Sequence, residues 1–596
     1  AGVYVLLTSI SSGDGDIAID GSASLVQDLA YPFGVALAGS SLASTGGDIS
    51  VVGDAAGGNG VQFWSVYDSV TGTDIYSSIT TGSGAITVDS TGLRGLGLDG
   101  IDLVTDSGDI TVAGAALDEY ATAAVFIGSG GITTNGGDIT ITGTGGSTGV
   151  WLYEGDLTSN GGDITVVGEG FHYGVQVWDN LVSSGAGDII VTGTATGGDS
   201  TGVNVRDGSF ASTSGDITLT GDAEYGTGIF FGTTGYGSGS SVTTTSGAIS
   251  VISTGLSGLN VGDVPFTTDT GNITLQGTAL GDDFGVYVGA GGLSSNGGDI
   301  TIVGYSTSYT GVWINGGDIS SNGGDITIDG TSTDLAGVQI SGGSSIDSDG
   351  GDIAIHGEGP TSTGLIVSSA RISSGAGNID LSGIGGGFGA GVFIGQGSVL
   401  STTTGDLSID GVSSSYDGVT IRTSDVYTAS GDIGIAGRGG SGAGFSLDVD
   451  SSIDGGDGLV TVRAANNGTS DAVRISGSIS SNLGVNLRPL DGTDAILLGS
   501  GAGFALDAAE LALIDSPELV IGSAQHAGAI LVQQAVTRDG NLTLQNQGGS
   551  AGIDLQAAID LGDHTLALAT GGDISQSASA AITARSLLAL AAGDVL

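Results

Sequence analysis

The sequence contains no cysteine and no lysine, and it has five prolines among 596 residues. Without cysteine, the chain can form neither a disulfide framework nor a thiol nucleophile. No run of about 18 apolar residues is present, so we expect no segment to cross a membrane as a helix. The sequence has ten arginines and 63 acidic residues, and its formal net charge is -53. This charge argues against nucleic acids and anionic membranes as partners, because both are bound by cationic patches.

Common catalytic motifs are also missing. The sequence has no G-x-S-x-G motif, no phosphate-binding loop and no zinc-hydrolase helix motif. The histidines lie far apart and share no ligand spacing, so we interpret them as surface residues: His172, His356, His526 and His564.

Glycine is abundant, with 119 residues, and it recurs beside a short motif that reads NGGDITITG at Asn135 to Gly143. Ile139 and Ile141 alternate with threonines, which is the period of a half-buried β-strand. The four residues before Ile139 are turn formers, because glycine and asparagine accept positive φ angles. The motif therefore predicts a corner followed by a strand.

The motif repeats along the chain and can be aligned on one residue, the anchor, which is Asp at twelve of seventeen positions. The anchors are residues 16, 48, 85, 109, 138, 163, 188, 216, 248, 272, 299, 325, 352, 378, 406, 432 and 459. One and three residues after each anchor stands Ile, Val or Leu, and six residues before it stands an apolar residue. Anchors are mostly 24 to 29 residues apart, which indicates one repeated structural unit.

Each repeat is too short for a βαβ crossover and has no helix-period segment, while a third apolar alternation recurs midway, as at Gly149 to Tyr153. We therefore predict an all-β parallel β-helix with three short strands per coil of about 27 residues. The anchored strand follows the anchor, the middle strand comes next, and the third strand precedes the next anchor. Stacked coils supply each other's backbone hydrogen bonds and burial.

Two segments of the chain differ in the regularity of the repeat and in composition. Residues 1–463 form the regular solenoid, in which Ala1 to Val5 already reads as a middle strand, and no signal peptide is expected. Residues 464–596 are richer in leucine and alanine, and we predict that they continue the solenoid less regularly. Enlargements around Tyr67 to Thr81 and Gly232 to Ser246 are predicted to be surface loops.

The stretch from Gly571 to Gln576 (GGDISQ), with Ala581 to Ala584 (AITA) and Leu588 to Val595 (LALAAGDV), resembles the repeat region of filamentous-haemagglutinin-like bacterial surface proteins. The GGDIT-type coils are similar to those of other giant surface proteins of this kind. The resemblance implies right-handed winding, export by a two-partner or autotransporter route, and a role in adhesion or surface structure. It therefore predicts an extracellular or outer-surface location.

The anchored aspartates are candidate ligands for Ca²⁺, which prefers carboxylate and carbonyl oxygens. In register, they would lie about 4.8 Å apart, where like charges repel. Either each carboxylate accepts backbone N–H groups at its corner, or the row shares weakly bound calcium. No other cofactor is expected. The candidate calcium positions are Asp138, Asp163, Asp188, Asp299, Asp325 and Asp352.

Large aromatic residues recur on the middle strand at positions out of phase with its inward aliphatic residues. Leaving such rings in water forgoes burial worth about 1.5 to 3 kcal/mol each, so an exposed row requires an explanation. The rings could stack on sugars, pack against another copy, or be covered by loops of neighbouring coils. The predicted contact surface consists of Trp64, Phe126, Trp151, Trp178, Phe230, Tyr287, Trp313 and Phe393.

We expect a non-catalytic protein, the shaft of an adhesin or of a self-assembling surface fibre, whose partners are copies of itself or neighbouring surface proteins. Wide spacing of the aromatic residues favours assembly over a glycan site, which is usually one local concavity. The alternative is a β-helical polysaccharide-binding or polysaccharide-processing protein. For a lyase, Asp347, Asp349 and Asp352 are the candidate calcium ligands, and Arg371 is the available basic residue.

Overall fold

A computed structural model describes residues 2–24, 32–233, 239–467 and 470–596. It comprises two compact units, Ala1–Gly304 and Tyr305–Leu596. Each unit is a parallel β-solenoid with about 26 residues per turn, which confirms the predicted fold class. Right-handed winding stays a prediction.

Most coils contain the three predicted strands, and most of these strands pair in parallel with their equivalents in the next coil. The coil after Gly484–Pro489 differs, because it has two middle strands, Ile496–Leu498 and Phe504–Leu506, which pair with each other. The anchored strand pairs Ile139 with Ile164, the middle strand pairs Val150 with Val175, and the third strand pairs Ile132 with Leu157. These pairs keep their register because slipping by one residue would turn the apolar side chains of a strand outward. Register shifts occur at a few other pairs, for example between Ser183 and Gly185 and between Ser373 and Gly375.

In the first unit, Ile189–Arg206 and Ile217–Gly232 each combine an anchored and a middle strand. The other anchored strands are Ile17–Ala23, Ile49–Ala55, Ile86–Gly92, Ile110–Ala116, Ile139–Thr144, Ile164–Gly170, Ile249–Gly255, Ile273–Ala279 and Ile300–Ser306, whose last residues belong to the second unit. The middle strands are Val3–Leu6, Phe33–Ala38, Asn59–Trp64, Leu96–Leu98, Val125–Ile127, Thr148–Tyr153, Tyr173–Trp178, Ser257–Gly262 and Val286–Val288. The third strands are Ser9–Ser11, Ser41–Ala43, Ser77–Thr81, Ile101–Thr105, Gly130–Thr134, Gly155–Thr158, Leu181–Gly185, Ser209–Ser212, Ser241–Thr244, Phe266–Thr268 and Leu293–Ser294.

The second unit repeats this order. Its anchored strands and their continuations are Ile326–Ser332, Ile353–Gly359, Ile379–Gly385, Leu407–Ser413, Ile433–Gly439, Leu459–Asn466, Gly484–Pro489, Glu518–Ser523, Asn541–Asn546, Thr565–Thr570 and Ser586–Ala591. Its middle strands are Val312–Asn315, Val338–Ser341, Leu365–Ser368, Val392–Gly395, Val419–Ile421, Phe445–Leu447, Val473–Ile475, Ile496–Leu498, Phe504–Leu506, Ile530–Val532, Ile553–Leu555 and Ile574–Gln576. Its third strands are Asp318–Ser320, Ser345–Asp347, Arg371–Gly375, Val399–Thr402, Asp425–Thr428, Ser452–Asp454, Ser478–Ser480, Ile514–Asp515, Val536–Thr537, Ile559–Asp560 and Ile582–Thr583.

The core consists of the predicted aliphatic positions. Ile139, Ile141 and Ile132, which lie one and three residues after and six residues before an anchor, are almost completely buried, and their equivalents in other coils are too. In the first coil, Ile10 and Ile19 are half-buried. Because each such side chain contributes about 1.5 to 3 kcal/mol on burial, the stacked aliphatic rows stabilise every coil.

The corner before each anchored strand combines a close approach of two backbones with a buried hydroxyl group. At Gly137, a Cβ atom would overlap the carbonyl oxygen of Gly108 in the preceding coil, so only glycine permits this approach of the two backbones. The buried hydroxyl of Thr134 accepts the N–H of Gly137 (3.0 Å) and donates to the carbonyl of Gly108 (3.2 Å). The corner thereby pairs polar groups that the turn buries.

Departures from the repeat are few. The predicted enlargement at 67–81 contains an antiparallel pair of strands, Val66–Asp68 with Thr73–Ile75. Tyr67, in the first of these strands, is exposed. The second enlargement includes residues 234–238, which lie outside the described residues. Residues 464–596 contain a short helix, Ala508–Leu511, capped by Asp507. Within the described ranges, no helix is long and apolar enough to cross a membrane.

Candidate functional site

The anchored aspartates form hydrogen-bonded rows from coil to coil. Oδ1 of Asp138 accepts the backbone N–H of Asp163 at 2.9 Å, and Oδ1 of Asp163 accepts that of Asp188 at 2.8 Å. In the second unit, Oδ1 of Asp325 accepts the N–H of Asp352 at 2.8 Å. Each bond joins two successive corners, so the anchor stabilises coil stacking.

Asparagine replaces aspartate at two anchors and keeps the same bond. Oδ1 of Asn272 accepts the N–H of Asp299 at 2.8 Å, and Oδ1 of Asn378 accepts that of Asp406 at 2.9 Å. The bond therefore needs an oxygen acceptor and not a negative charge, and the anchors Ala85, Ala248 and Leu459 show that the corner also forms without it. Among the residues that the structure describes, no group of three or more acidic or histidine side chains could hold a metal ion.

The acidic residues considered for a lyase have other local contacts. Oδ1 of Asp347 accepts the N–H of Asp349 at 3.2 Å, and Oδ1 of Asp352 accepts that of Asn378 at 2.8 Å. Arg371 lies on the neighbouring third strand, where it pairs with Ser345. Asp347 therefore stabilises a turn, and Asp352 acts as an anchor.

The interpretation of every histidine as a surface residue is wrong for His526. Its side chain is 2% exposed, and Nε2 has no hydrogen-bond partner among the described residues. Burial lowers the pKa of His526. His172, His356 and His564 are half-buried.

All eight predicted contact aromatics lie on middle strands, and all are half-buried. Six lie between two buried residues, whereas Trp64 and Trp178 are the last residues of their strands. Their register separates them into two columns. Phe126 pairs with Trp151, whereas Trp178 pairs with Tyr153, two residues further along the strand. Trp64 occupies the column of Trp178, one residue beyond buried Phe63. The rings are thus not a single row.

Four rings contact one another and form what we call the platform: Phe126, Trp151, Tyr153 and Trp178. Trp151 lies at its centre, with ring centroids 5.2 Å from Phe126, 5.9 Å from Tyr153 and 6.4 Å from Trp178. Tyr153 meets Trp178 edge-on at 6.1 Å. Such geometries are attractive because ring edges and faces carry opposite partial charges. The indole N–H of Trp151 is buried without a hydrogen-bond partner among the described residues, which costs stability.

The platform borders a groove of about 750 Å³, a size typical of ligand sites. Gly97 occupies the column of Phe126 in the preceding coil, and its missing side chain leaves space that the amide of Gln62 enters. Asn59 donates from Nδ2 to Oε1 of Gln62, and Nε2 of Gln62 donates to the carbonyl of Phe63 at 3.1 Å. The groove therefore has an aromatic part and an amide part.

Acidic residues form the rim of the groove: Asp99, Glu154, Asp179 and Asp207, of which Asp207 is buried. Each is the first residue after a middle strand. Three of them, Glu154, Asp179 and Asp207, adopt positive φ angles of 55°, 49° and 52°. This left-handed turn ends the strand beside the rings.

Two pKa shifts accompany this arrangement. A hydrogen bond to Glu154, together with the charge of that carboxylate, raises the pKa of Tyr153. Burial raises the pKa of Asp99, although the residue as a whole remains exposed. Arg94 is the one basic side chain among the described residues that line the groove. The rim is therefore an acceptor-rich, negatively charged edge.

The other predicted contact aromatics have separate local contacts. Trp64 stacks with Tyr4 at 6.1 Å and borders a smaller space of about 260 Å³ beside Asn59 and Gln62. Arg206 lies over the ring of Phe230 at 5.5 Å, and Tyr287 contacts Phe284 at 5.4 Å.

In the second unit, Nε1 of Trp313 donates to Ser341 at 2.9 Å. Phe393 lies against Gly395, where a Cβ atom would contact its ring. Neither Trp313 nor Phe393 belongs to the platform.

Sequence reasoning missed Tyr153, Gly97 and the acidic rim. The alternation at Gly149 to Tyr153 predicts a middle strand, but the pairing of Tyr153 with Trp178 depends on register. The signal that could have found the rim is an acidic residue directly after an aromatic one, as in Tyr153-Glu154 and Trp178-Asp179.

No protein-family model and no curated protein matches the sequence. Among solved structures, the chain is similar to a PL6 family alginate lyase, AlyGC, with 10% sequence identity and a TM-score of 0.18. That match covers 99% of this chain and 97% of the other. Similarity at this level carries no argument about function. The strand pairing described above establishes the fold, and the groove remains the basis for assigning a function.

Proposed function

We propose that this protein is an extracellular, non-catalytic β-solenoid that binds carbohydrate in the groove and acts as the shaft of a surface adhesin. The observation that carries the proposal is the platform, four rings packed around Trp151 beside an acceptor-rich rim and two amide side chains. The resemblance of the coils to filamentous-haemagglutinin-like proteins supports the adhesive role and the location outside the cell.

Carbohydrate fits this combination of surfaces. One face of a sugar ring is largely C–H and can pack on an aromatic ring, while its hydroxyls donate to carboxylates and amide oxygens. Trp151 and Trp178 lie close to parallel, with an interplanar angle of 29°, so they present a broad apolar surface. The groove passes along several coils, which suits an extended chain of sugars.

The test is equilibrium binding of oligosaccharides of defined length, measured by calorimetry for the whole chain and for Trp178→Ala. We expect binding that the substitution weakens at least about tenfold, as for a central aromatic contact. Trp313→Ala is the matched control and should bind normally. If no oligosaccharide binds, or if the two variants lose affinity equally, the groove is not a carbohydrate site.

An enzyme acting on polysaccharide is the competing class. Incubation with neutral and acidic polysaccharides, with and without Ca²⁺, should yield no new reducing ends and no unsaturated products. Turnover at catalytic protein concentrations would replace the adhesive proposal by an enzymatic one.

Self-association through the predicted contact aromatics is a second proposal about partners. Its support is the half-buried position of rings outside the platform, such as Trp313 and Phe393. The charge of -53 opposes assembly, so cations should promote it by screening. Imaging with and without millimolar Ca²⁺ tests it, and single particles under both conditions would contradict it.

A further inference from the structure

The groove is strongly negative for a carbohydrate site. Four carboxylates line it, whereas Arg94 is the one basic side chain among the described lining residues. The chain as a whole carries a formal charge of -53. A cleft with low-dielectric walls concentrates the field of its charges, so cations are enriched there and anions are repelled. Uronate and sulfated polymers therefore fit poorly.

The charges lie beside the rings. Glu154 follows Tyr153 and Asp179 follows Trp178 in the chain, and Tyr153 and Trp178 pair in adjacent coils. Successive coils are about 4.8 Å apart, so the residues after these strands place like charges close together. This repulsion falls when a positive group lies between them.

The rings add a second attraction for the same group. An ammonium within about 6 Å of an aromatic centroid is attracted by the negative ring face, most strongly for tryptophan. The centroids of Trp151 and Trp178 are 6.4 Å apart, and Tyr153 lies within 6.1 Å of both. An ammonium group near these rings would also lie near the rim carboxylates.

From this juxtaposition, we infer that the groove selects carbohydrate that carries amino groups, such as a β-linked glucosamine chain, over neutral and acidic chains. The inference rests on the proposed function, because it assigns the ligand class of the same groove. Sugar faces pack on the platform, and their protonated amines lie between the rings and the rim.

The test compares hexasaccharides of glucosamine, N-acetylglucosamine, glucose and a uronic acid, the last with and without Ca²⁺, by calorimetry near pH 6. We expect the glucosamine chain to bind at least about tenfold more tightly than its acetylated form. Raising salt should weaken the glucosamine complex, because screening reduces the charge contribution.

The double variant Glu154→Gln with Asp179→Asn removes two rim charges and keeps side-chain shape, and asparagine tolerates the left-handed turn at position 179. It should lose the preference for glucosamine, so that the glucosamine and acetylated chains bind this variant with similar affinity. Asp138→Asn with Asp163→Asn removes two charges from corners away from the groove and should keep the preference.

The outcomes separate the two proposals. Equal or tighter binding of the acetylated or neutral chain, weakened by Trp178→Ala, overturns the amine preference and keeps carbohydrate binding. Calcium-dependent binding of the uronate chain overturns it in favour of cation bridging. Absence of binding by all four chains overturns the proposed function itself.

Discussion

The corner before each anchored strand and the outward side of the middle strand belong to the same coils, but only the corner is repeated. The residue before the anchor is glycine at all seventeen positions, and the residue four before it is Ser or Thr at sixteen. By contrast, successive residues in the column of Trp151 are Gln62, Gly97, Phe126, Trp151 and Gln176. The corner is fixed by backbone packing between coils, whereas the outward side is free to vary and can carry a binding site.

The largest expected effect separates these regions by function. Trp151→Ala should reduce oligosaccharide affinity by about 10- to 100-fold, because Trp151 contacts every other ring of the platform. Trp151→Phe keeps a ring at the centre of the platform and removes an indole N–H that has no partner among the described residues, so it should retain more affinity than the alanine variant.

Calorimetry measures both variants, and circular dichroism confirms their fold. Trp313→Ala is the control from a coil without a platform. Normal affinity in a folded Trp151→Ala protein would show that the platform is structural only.

The next effect concerns stability at the corner. Gly137→Ala places a methyl group against the Gly108 carbonyl, and overpacking of this kind costs about 1 to 3 kcal/mol. In a solenoid the damage should remain near the altered coil. Gly198→Ala, where a Cβ meets open space, is the matched control.

Limited proteolysis and hydrogen exchange measure this effect. We expect faster cutting and exchange around residues 105–170 in Gly137→Ala and an unchanged pattern in Gly198→Ala. Uniform loss of protection along the whole chain would contradict the nearest-neighbour behaviour expected of a solenoid.

Residues 464–596 extend the comparison, because the Gly-Gly-Asp corner nearly disappears there. Among the described residues, the buried side chain of His526 has no hydrogen-bond partner at Nε2. Burial lowers the pKa of His526, so the folded chain binds fewer protons than the unfolded chain below about pH 6.5. The part of the folding stability that depends on neutral His526 is fully present above pH 6.5. It is lost as the pH falls from there towards the lowered pKa of His526 in the folded chain. Asp494 opposes the shift.

Stability of this segment should therefore fall by up to about 1.4 kcal/mol per pH unit within that window. Hydrogen exchange at pH 7.5 and pH 5.5 measures it in the wild type and in His526→Phe, which keeps a planar ring and cannot titrate. Equal pH dependence in both proteins would exclude His526 as the cause.

The sequence was sufficient to predict the coil, its three strands and its core, because burial of Ile139, Ile141 and Ile132 follows from alternation and spacing. It could not predict the groove. Contact between Trp151 and Trp178 depends on register and on rotamers, and the concavity depends on Gly97 in a coil 54 residues before Trp151. The alternation places all eight contact aromatics outward, but it does not say which of them meet. Corner glycine and hydroxyl residues were present in the sequence, but their role required knowing which carbonyl lies opposite.

The smallest expected effect tests what the anchor contributes. Asp138→Ala removes the acceptor for the N–H of Asp163 and should cost about 0.5 to 1.5 kcal/mol locally. Asp138→Asn should cost almost nothing, because Asn272 and Asn378 form the same bond in their own coils.

Calcium provides the contrast for this pair of variants. If the aspartate rows bound Ca²⁺, millimolar calcium would raise the thermal midpoint of the wild type, and Asp138→Asn would lose part of that gain as Asp138→Ala does. If only the oxygen acceptor matters, the wild type and Asp138→Asn should show the same local protection from hydrogen exchange, with or without calcium. Only Asp138→Ala should then show reduced protection. Since one oxygen of Asp138 already accepts a backbone N–H, we expect the second result.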